Sequence, residues 1–293
     1  MRYYCTLSDK NYLVKGLSLL ESLKSLSSEQ YIIYYLCMDD YTYDSINNLS
    51  ELNVKAINIS SLNDDEDFLT LKSNTDYVPE DFCTYCFALG SFISEYLTRT
   101  EKLDSIMYID SDIIFHQDPK LIFDTISNKS IGIILHRHVP IGHHCGGYNV
   151  GVVYFRNDVV GYKCLKWWRD CVMDPNNEWF AQYGRVGDQV YLEGFEPLFG
   201  KSNICVIDTG IGHGAPWNFG LYQYDGEDII WNGMRQKMVF SHFSHFTPDY
   251  VNNTYSVDRG GEWGGLGLNR PEIVSYYDKY FTTLLSTKKK YKL

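Results

Sequence analysis

The chain has 293 residues, enough for one large domain or two modest ones, since a domain commonly takes roughly 100 to 200 residues. Its hydrophobic share of 44% and charged share of 22% are those of ordinary globular proteins, which excludes a disordered chain and a coiled coil. The net charge of −11 repels DNA and RNA, so we expect no nucleic-acid partner.

Strands and helices alternate in the first part of the chain. Apolar runs predict strands at Arg2–Thr6, Tyr31–Cys37, Val54–Ile59 and Ser105–Ile109. Apolar residues at helical spacing predict helices that begin after Ser8 or Asp9 and after Asp81, and that end near Leu26 and Leu97. This alternation favours a parallel sheet with helices on its faces.

The pattern is mixed after Phe115. Further strands are predicted at Ile131–Leu135, Tyr148–Phe155, Ile204–Ile207 and Met238–Ser241. Further helices are predicted at Pro119–Ile126, Val159–Val172, Asp188–Gly194 and Glu272–Leu285. The basic residues from Lys288 to Lys292 then form a tail, for which a frayed end and weak attachment to an anionic membrane surface are both open.

The expected location is the cytoplasm. No apolar run approaches the ~18 residues of a membrane span, and a strand at the N-terminus takes the place of a signal peptide. The eight cysteines are therefore expected to be reduced thiols. Cys83 and Cys86, near His143, His144 and Cys145, could form a zinc set, but two cysteines within an apolar helical stripe favour a core position.

Two carboxylates, in an Asp-x-Asp motif, follow the strand that ends at Ile109. In an extended chain Asp110 and Asp112 point the same way, at the carboxyl end of a strand where open α/β folds bind ligands. Mg²⁺ and Mn²⁺ take oxygen ligands, commonly one or two carboxylates together with substrate phosphates. The motif predicts a metal site, and an Asp pair that only caps a turn is the alternative.

Several motifs, taken in order, carry a family resemblance. They are Cys5–Asp9 with Asn11–Tyr12, Tyr77–Phe82, Tyr108–Asp112, Gly147–Phe155, Gly187–Gln189, Ala215–Asn218 and Phe240–Phe246. Together they resemble the metal-dependent sugar-nucleotide glycosyltransferases with the GT-A fold. More closely, the chain resembles the bacterial and viral enzymes related to glycosyltransferase family eight, from Tyr4 to about Asp249.

The resemblance implies a fold and an activity. The fold would be a single GT-A domain over residues 1–285, α/β and Rossmann-like, with a mixed, mostly parallel sheet flanked by helices. Residues 1–118 would form the nucleotide-binding half, residues 119–285 the acceptor half, and residues 286–293 the basic tail. The activity would be hexosyl transfer from a nucleotide-diphospho-sugar, a UDP-sugar, to a hydroxyl of a glycan or other acceptor. Mn²⁺ or Mg²⁺ would be the cofactor, and the configuration would be retained.

The resemblance also implies the site residues. Those that would bind the nucleotide are Thr6, Asp9, Tyr12, Asp110 and Ser111. Those that would hold the metal are Asp110, Asp112 and His242. Those that would face the sugar, its anomeric carbon and the acceptor are Asn149, Asp188 and Gln189. Trp217 and Trp263, in glycine-rich loops, could stack on an acceptor sugar.

Some of these residues have simpler interpretations. Asn149 could hydrogen-bond only the turn before Gly151, and Asp188 could only cap the helix after it. His242 is preferred over His245 as a metal ligand because it lies nearer the end of the predicted strand, but both could merely hydrogen-bond within an aromatic loop.

One departure from the family pattern concerns charge. Relatives often carry a Lys in the helix after Phe82, whereas this chain has Gly90-Ser91, so a phosphate-facing cation is missing there. Another basic residue, or the metal alone, must take its place. The departure keeps a non-catalytic sugar-nucleotide-binding protein open, and paired carboxylates keep open a metal-dependent phosphohydrolase or nucleotidyltransferase.

Overall fold

The computed structural model describes residues 1–49, 53–74, 82–137, 146–174, 188–257 and 269–293. Parts of two family motifs, residues 77–81 and Gly187, lie outside these ranges, as does Trp263. The zinc set, the alternative to the favoured core position of these cysteines, is not tested, because residues 143–145 and the side chain of Cys83 are not among those described. All the cysteines whose side chains are described are free thiols.

The chain forms the following elements. The strands are β1 (Arg2–Ser8), β2 (Tyr31–Cys37), β3 (Val54–Asn58), β4 (Ser105–Ile109), β5 (Ile113–Phe115), β6 (Ile131–Leu135), β7 (Tyr148–Arg156), β8 (Ile204–Val206), β9 (Gly212–Gly214), β10 (Gln223–Asp225), β11 (Asp228–Trp231), β12 (Met234–His242), β13 (Thr247–Asp249) and β14 (Thr254–Ser256). The helices are α1 (Leu13–Leu26), α2 (Asp40–Asn47), α3 (Glu66–Asn74), α4 (Phe82–Thr100), α5 (Lys120–Ile126), α6 (Val159–Met173), α7 (Phe195–Phe199) and α8 (Pro271–Tyr291). A 3₁₀ helix spans Gln189–Gly194.

A seven-stranded sheet in the order β3-β2-β1-β4-β7-β6-β8 forms the centre of the fold. Only β7 runs against its neighbours, so the sheet is mostly parallel, as predicted. Because β1 and β4 are parallel neighbours, their carboxyl ends lie at the same edge of the sheet. That edge carries the residues predicted to bind the nucleotide.

Both faces of this sheet are covered by helices. Successive strand residues alternate between two apolar clusters, with Met107 in the cluster that includes α1 and α5, and Tyr108 in the cluster that includes α4 and α6. Strands buried on both faces read as continuous apolar runs, which explains why β2, β4 and β6 have the predicted bounds.

A second sheet, in the order β10-β11-β12-β5, lies beside the first, with β9 paired to β12. Helix α8 packs on this part of the chain through the aromatic cluster of Phe243, Phe246, Tyr277 and Tyr280. Ser18 Oγ of α1 donates a hydrogen bond to Thr287 Oγ1 of α8, at 2.8 Å.

The carboxyl-terminal helix is longer than predicted. It continues beyond the predicted end at Leu285 to Tyr291, so most of the basic tail is helical rather than frayed. The physical reason is a contact with α1, where Lys290 Nζ lies 2.9 Å from Glu21 Oε1 and Tyr291 Oη donates to the same oxygen. Among the helices that the structure describes, none is both long enough and apolar enough to cross a membrane.

A buried ion pair holds three helices together on one face of the sheet. Arg169 Nη1 of α6 lies 2.9 Å from Glu95 Oε2 of α4 and 2.7 Å from Asp67 Oδ2 of α3. Glu95 is only 1% exposed and also accepts a hydrogen bond from Tyr162 Oη, at 2.7 Å. Asp170 Oδ1 also lies 2.6 Å from Arg169 Nη2, but Glu95 is the only buried carboxylate among these three partners. Removing Glu95 therefore leaves a buried guanidinium with only partly exposed partners.

We therefore expect Glu95→Ala to lower the free energy of unfolding by about 3 kcal/mol. The matched control is Glu101→Ala, which breaks the exposed pair with Lys55 and should cost about 1 kcal/mol or less. Urea denaturation followed by circular dichroism measures both, and equal losses would contradict a special role for the buried pair.

Candidate active site

The two carboxylates of the Asp-x-Asp motif lie in the turn that joins β4 to β5. The turn is closed by a hydrogen bond from Ile113 N–H to Asp110 O, at 3.2 Å. Asp110 and Asp112 therefore converge through a turn, and the predicted reason, one face of an extended strand, is wrong. After the turn, β5 leaves the seven-stranded sheet and pairs antiparallel with β12, so the motif stands where the two sheets meet.

His242, the last residue of β12, completes a cluster with the two carboxylates. The pairing of His242 with Ile113 places its imidazole beside the turn, with Nε2 at 3.1 Å from Asp112 Oδ1 and 3.5 Å from Asp110 Oδ2. One ligand atom from each residue lies within 4.8 Å of the others. His245 has a left-handed backbone in the turn that follows and does not belong to this cluster.

The electrostatics of the cluster attract positive charge. Burial acts to raise the pKa of Asp112, but the charge and hydrogen bond of His242 outweigh it and lower that pKa to about 2. Burial lowers and the two carboxylates raise the pKa of His242, and the net direction is upward. Two carboxylate oxygens and one imidazole nitrogen are a donor set that fits a divalent cation such as Mn²⁺.

A glycine sets the orientation of the histidine. A Cβ at Gly151 of β7 would lie 2.6 Å from His242 Nδ1 and 2.8 Å from Asn149 Oδ1, so no larger residue fits there. His242 Nδ1 is buried and has no hydrogen-bond partner in the part of the chain that the structure describes. The ring thus presents Nε2 to the carboxylates.

The structure explains why glycine occupies position 90, in the helix where the family resemblance implies a Lys. Tyr108 Oη donates a hydrogen bond to Asp110 Oδ1 at 2.8 Å, and its ring lies on Gly90. A Cβ at Gly90 would lie 3.1 Å from Tyr108 Cζ, closer than ordinary contact. Gly90 therefore leaves room for the tyrosine that orients Asp110, and neither Gly90 nor Ser91 supplies a cation.

The predicted sugar-facing residues lie next to this cluster. Asn149 Oδ1 accepts a hydrogen bond from Gly151 N–H at 2.8 Å, which is the turn contact considered as its simpler interpretation. Its amide nitrogen lies 3.4 Å from Gln189 Oε1 and 3.3 Å from His136 Nε2. Asn149 thus holds the backbone with one end of its amide and faces Gln189 with the other.

Asp188 is a buried carboxyl group, 5% exposed, at the start of the 3₁₀ helix. Its side chain does not form the usual N-cap hydrogen bond, although the N–H group of Gln189 interacts with the carboxyl group. Trp168 Nε1 donates to the backbone oxygen of Asp188 at 3.0 Å. Burial raises the pKa of Asp188 well above its ordinary value, and the negative charge of Asp110 adds to the shift. Asp188 therefore lies within electrostatic range of the metal-ligand candidates.

The predicted nucleotide residues lie at the carboxyl end of β1 and in the turn after β4. Thr6 Oγ1 is buried without a hydrogen-bond partner among the described residues, and Ser111 is buried in the Asp-x-Asp turn. The prediction that Asp9 directly caps the first helix is wrong, because the residue at the N-cap position is Tyr12. Asp9 accepts hydrogen bonds from the N–H groups of Asn11 and Tyr12, at 3.0 and 3.1 Å, and α1 begins only at Leu13.

Sequence reasoning missed three residues of this region. Lys15 is a buried cation on α1, and its one sequence signal is a charge within an apolar stripe. His136 contacts Asn149 and lies 5.3 Å, between ring centroids, from Trp217. Trp217 itself is buried, with its ring centroid 5.4 Å from that of His242, so it packs against the cluster and is not exposed in a loop. Tyr280 of α8, which is buried and stacks on Phe243, is the third missed residue.

The fold is that of the GT-A glycosyltransferases. Mouse xyloside xylosyltransferase 1 superposes with a TM-score of 0.55 at 14% identity, covering 86% of this chain and 99% of that chain. The galactosyltransferase LgtC, in complex with donor and acceptor sugar analogues, superposes with a TM-score of 0.54 at 15% identity, covering 95% of this chain and 99% of that chain. At these identities the likeness shows the fold.

The chain belongs to glycosyl transferase family 8, whose family model matches residues 5–160. A relative of similar length, the uncharacterized protein YfnF of Bacillus subtilis (strain 168), is 29% identical over 274 residues, which cover 87% of this chain and 84% of that protein. The predicted fold and family resemblance are confirmed, and membership of the family supports a glycosyl-transfer function.

We expect His242→Ala to weaken the binding of Mn²⁺ by at least about tenfold, because it removes the nitrogen of the three-residue cluster. His245→Ala, outside the cluster, should change the affinity less than about threefold, which is well under 1 kcal/mol. Isothermal titration calorimetry with MnCl₂ measures both variants, and equal losses would contradict the assignment of His242.

Proposed function

We propose that the protein transfers a hexose from a UDP-sugar to an acceptor hydroxyl, with retention of configuration and with Mn²⁺ held by Asp110, Asp112 and His242. The observation that carries the proposal is the cluster of two carboxylates and one imidazole at the carboxyl edge of the sheet. Family membership supports glycosyl transfer, and the choice of UDP and hexose rests on the resemblance. The acceptor is a glycan or another hydroxyl-bearing molecule.

The proposed metal follows from the ligand types. An imidazole nitrogen among oxygen ligands favours Mn²⁺ over the harder Mg²⁺. When bound, such a cation stabilises the negative charge that the diphosphate leaving group gains as the bond to the sugar breaks. Tyr108 would keep Asp110 oriented through its hydrogen bond at 2.8 Å.

The proposed sugar site lies between the metal ligands and the 3₁₀ helix. Asn149 Nδ2 and Gln189 Oε1 lie 3.4 Å apart. Their amide groups can both donate to and accept from sugar hydroxyls. Asp188 would lie near the anomeric carbon, where a carboxylate offsets the positive charge that the sugar gains in the transition state. Its burial would exclude water, which otherwise competes with the acceptor.

The first experiment is a thermal-shift screen of UDP, GDP, ADP, CDP and dTDP, and of UDP-hexoses, with and without Mn²⁺. A ligand that binds only the folded protein raises the melting temperature, and we expect the largest shift with UDP and Mn²⁺ together. Product analysis then separates the alternatives. Transfer to an added acceptor supports the proposal, release of phosphate would indicate a hydrolase, and binding without turnover would indicate a binding protein.

We expect Asp112→Asn to lose Mn²⁺-dependent UDP binding and sugar transfer, because it removes a charged oxygen ligand. Excess EDTA should likewise abolish UDP binding and sugar transfer by the unchanged protein, and added MnCl₂ should restore both. Calorimetry and a radiolabelled UDP-hexose assay measure these effects. Full transfer in EDTA would contradict the proposed role of the metal.

We expect Asp188→Asn to bind UDP and Mn²⁺ as the unchanged protein does, but to transfer sugar at least about 100-fold more slowly, the usual range for a catalytic carboxyl group. The exposed Asp124→Asn is the control and should keep full activity. Initial rates at saturating donor measure the effect. An unchanged rate of sugar transfer by Asp188→Asn would contradict a catalytic role and indicate that this residue is only structural.

A further inference from the structure

Lys15 is a buried cation beside the candidate metal site. It lies on the inner side of α1, is 5% exposed, and its Nζ stands 3.9 Å from the centroid of the Tyr12 ring. Within the described part of the chain, no hydrogen bond or salt bridge pairs this ammonium with an anion. Burial lowers the pKa of Lys15, and the charge of Asp112 opposes that shift only in part. Lysine is rarely buried unless it is paired, so an anion partner is to be expected from outside the chain.

The hydroxyl of Tyr280 approaches the same region from α8. Tyr280 is 2% exposed, and its Oη has no hydrogen-bond partner among the described residues. Its ring stacks on Phe243 with centroids 3.8 Å apart, and Phe243 N–H donates to Asp112 O at 3.0 Å. Burial raises the pKa of Tyr280, and the charges of Asp112 and Tyr12 add to the shift.

The unpaired ammonium of Lys15 and the unpaired hydroxyl of Tyr280 both lie within electrostatic range of Asp112. Both side chains lie near Tyr12 and Asp112, and the helices that carry them are joined by the hydrogen bond between Ser18 and Thr287. Buried polar groups are almost always hydrogen-bonded in folded proteins. Two unsatisfied donors within electrostatic range of the same carboxylate are groups that an oxyanion bound there would satisfy.

The charge balance of the site points to the same kind of ligand. The carboxylates of Asp110 and Asp112 together cancel the charge of one divalent cation, so the metal alone leaves nothing to offset the donor's diphosphate. The chain as a whole carries a net charge of −11, and it has Gly90-Ser91 where the family resemblance implies a Lys in many relatives. Lys15 is the buried cation nearest this cluster in the described residues.

We propose that Lys15 and Tyr280 bind the diphosphate of the sugar-nucleotide donor, and that Lys15 supplies the cation missing at Gly90-Ser91. The inference rests on the proposed function, because it assumes a nucleoside diphosphate at this site. A lysine ammonium binds phosphate as a compact point charge with three donors, and the phenol adds a neutral hydrogen bond. In the free protein the face of the Tyr12 ring stabilises the ammonium.

The test compares Lys15→Met and Tyr280→Phe with the unchanged protein and with Lys24→Met, which alters an exposed lysine of the same helix. Calorimetry measures UDP binding at saturating Mn²⁺ and the binding of Mn²⁺ alone, and NMR titration measures uridine. We expect Lys15→Met to bind UDP at least about tenfold more weakly, and Tyr280→Phe about threefold more weakly. Binding of uridine and of Mn²⁺ should stay within about twofold in both variants, and Lys24→Met should match the unchanged protein throughout.

A second measurement separates ligand binding from a structural role. Because Lys15 costs free energy to bury, Lys15→Met without ligands should melt at the same temperature as the unchanged protein or higher. A lower melting temperature together with equal loss of UDP and uridine binding would show a structural lysine and overturn the inference.

The outcomes also separate this inference from the proposed function. If the unchanged protein binds UDP and both variants bind it equally well, the inference is wrong and the proposed function stands. If the unchanged protein does not bind UDP with Mn²⁺, the proposed function is wrong and the inference fails with it. Selective loss of UDP affinity in Lys15→Met supports both.

Discussion

Repulsion between Asp110 and Asp112 is the constraint on which the rest of the site depends. Two carboxylates in one turn are stable only when positive charge or hydrogen-bond donors lie close to them. His242 Nε2 approaches both, and Tyr108 Oη donates to Asp110. Each of these partners needs space, which Gly151 and Gly90 provide by having no side chain. The site is therefore a set of mutually dependent contacts and not three ligands placed on a fold.

The two sheets make this arrangement possible. The motif follows β4 of the parallel sheet, whereas its histidine ends β12 of the second sheet, and the short strand β5 joins them by pairing with β12. Residues more than 120 positions apart in sequence are thereby fixed by backbone hydrogen bonds. A site on paired strands is held more rigidly than one on loops, which suits ligands that must meet at one ion.

Much of the fold could be predicted from sequence, because strands buried on both faces read as apolar runs. Helix α2 was not predicted, since it is short and polar and is set mainly by the Asp39 cap, whose side chain accepts from Thr42 N–H. The cluster of Asp110, Asp112 and His242 followed from family motifs. Lys15 and Tyr280 could not be found in that way, because their proximity depends on the packing of α8 against α1, and no local pattern encodes that contact.

The packing of α8 on α1 has a consequence for motion. Ser18 with Thr287, and Glu21 with Lys290, join the two helices at points beyond the candidate diphosphate site. The ends of helices open locally at a lower free-energy cost than the core of a protein does. A ligand bound by one side chain from each helix would suppress that opening. Donor binding would therefore slow amide hydrogen exchange along both helices, including turns that do not contact the nucleotide.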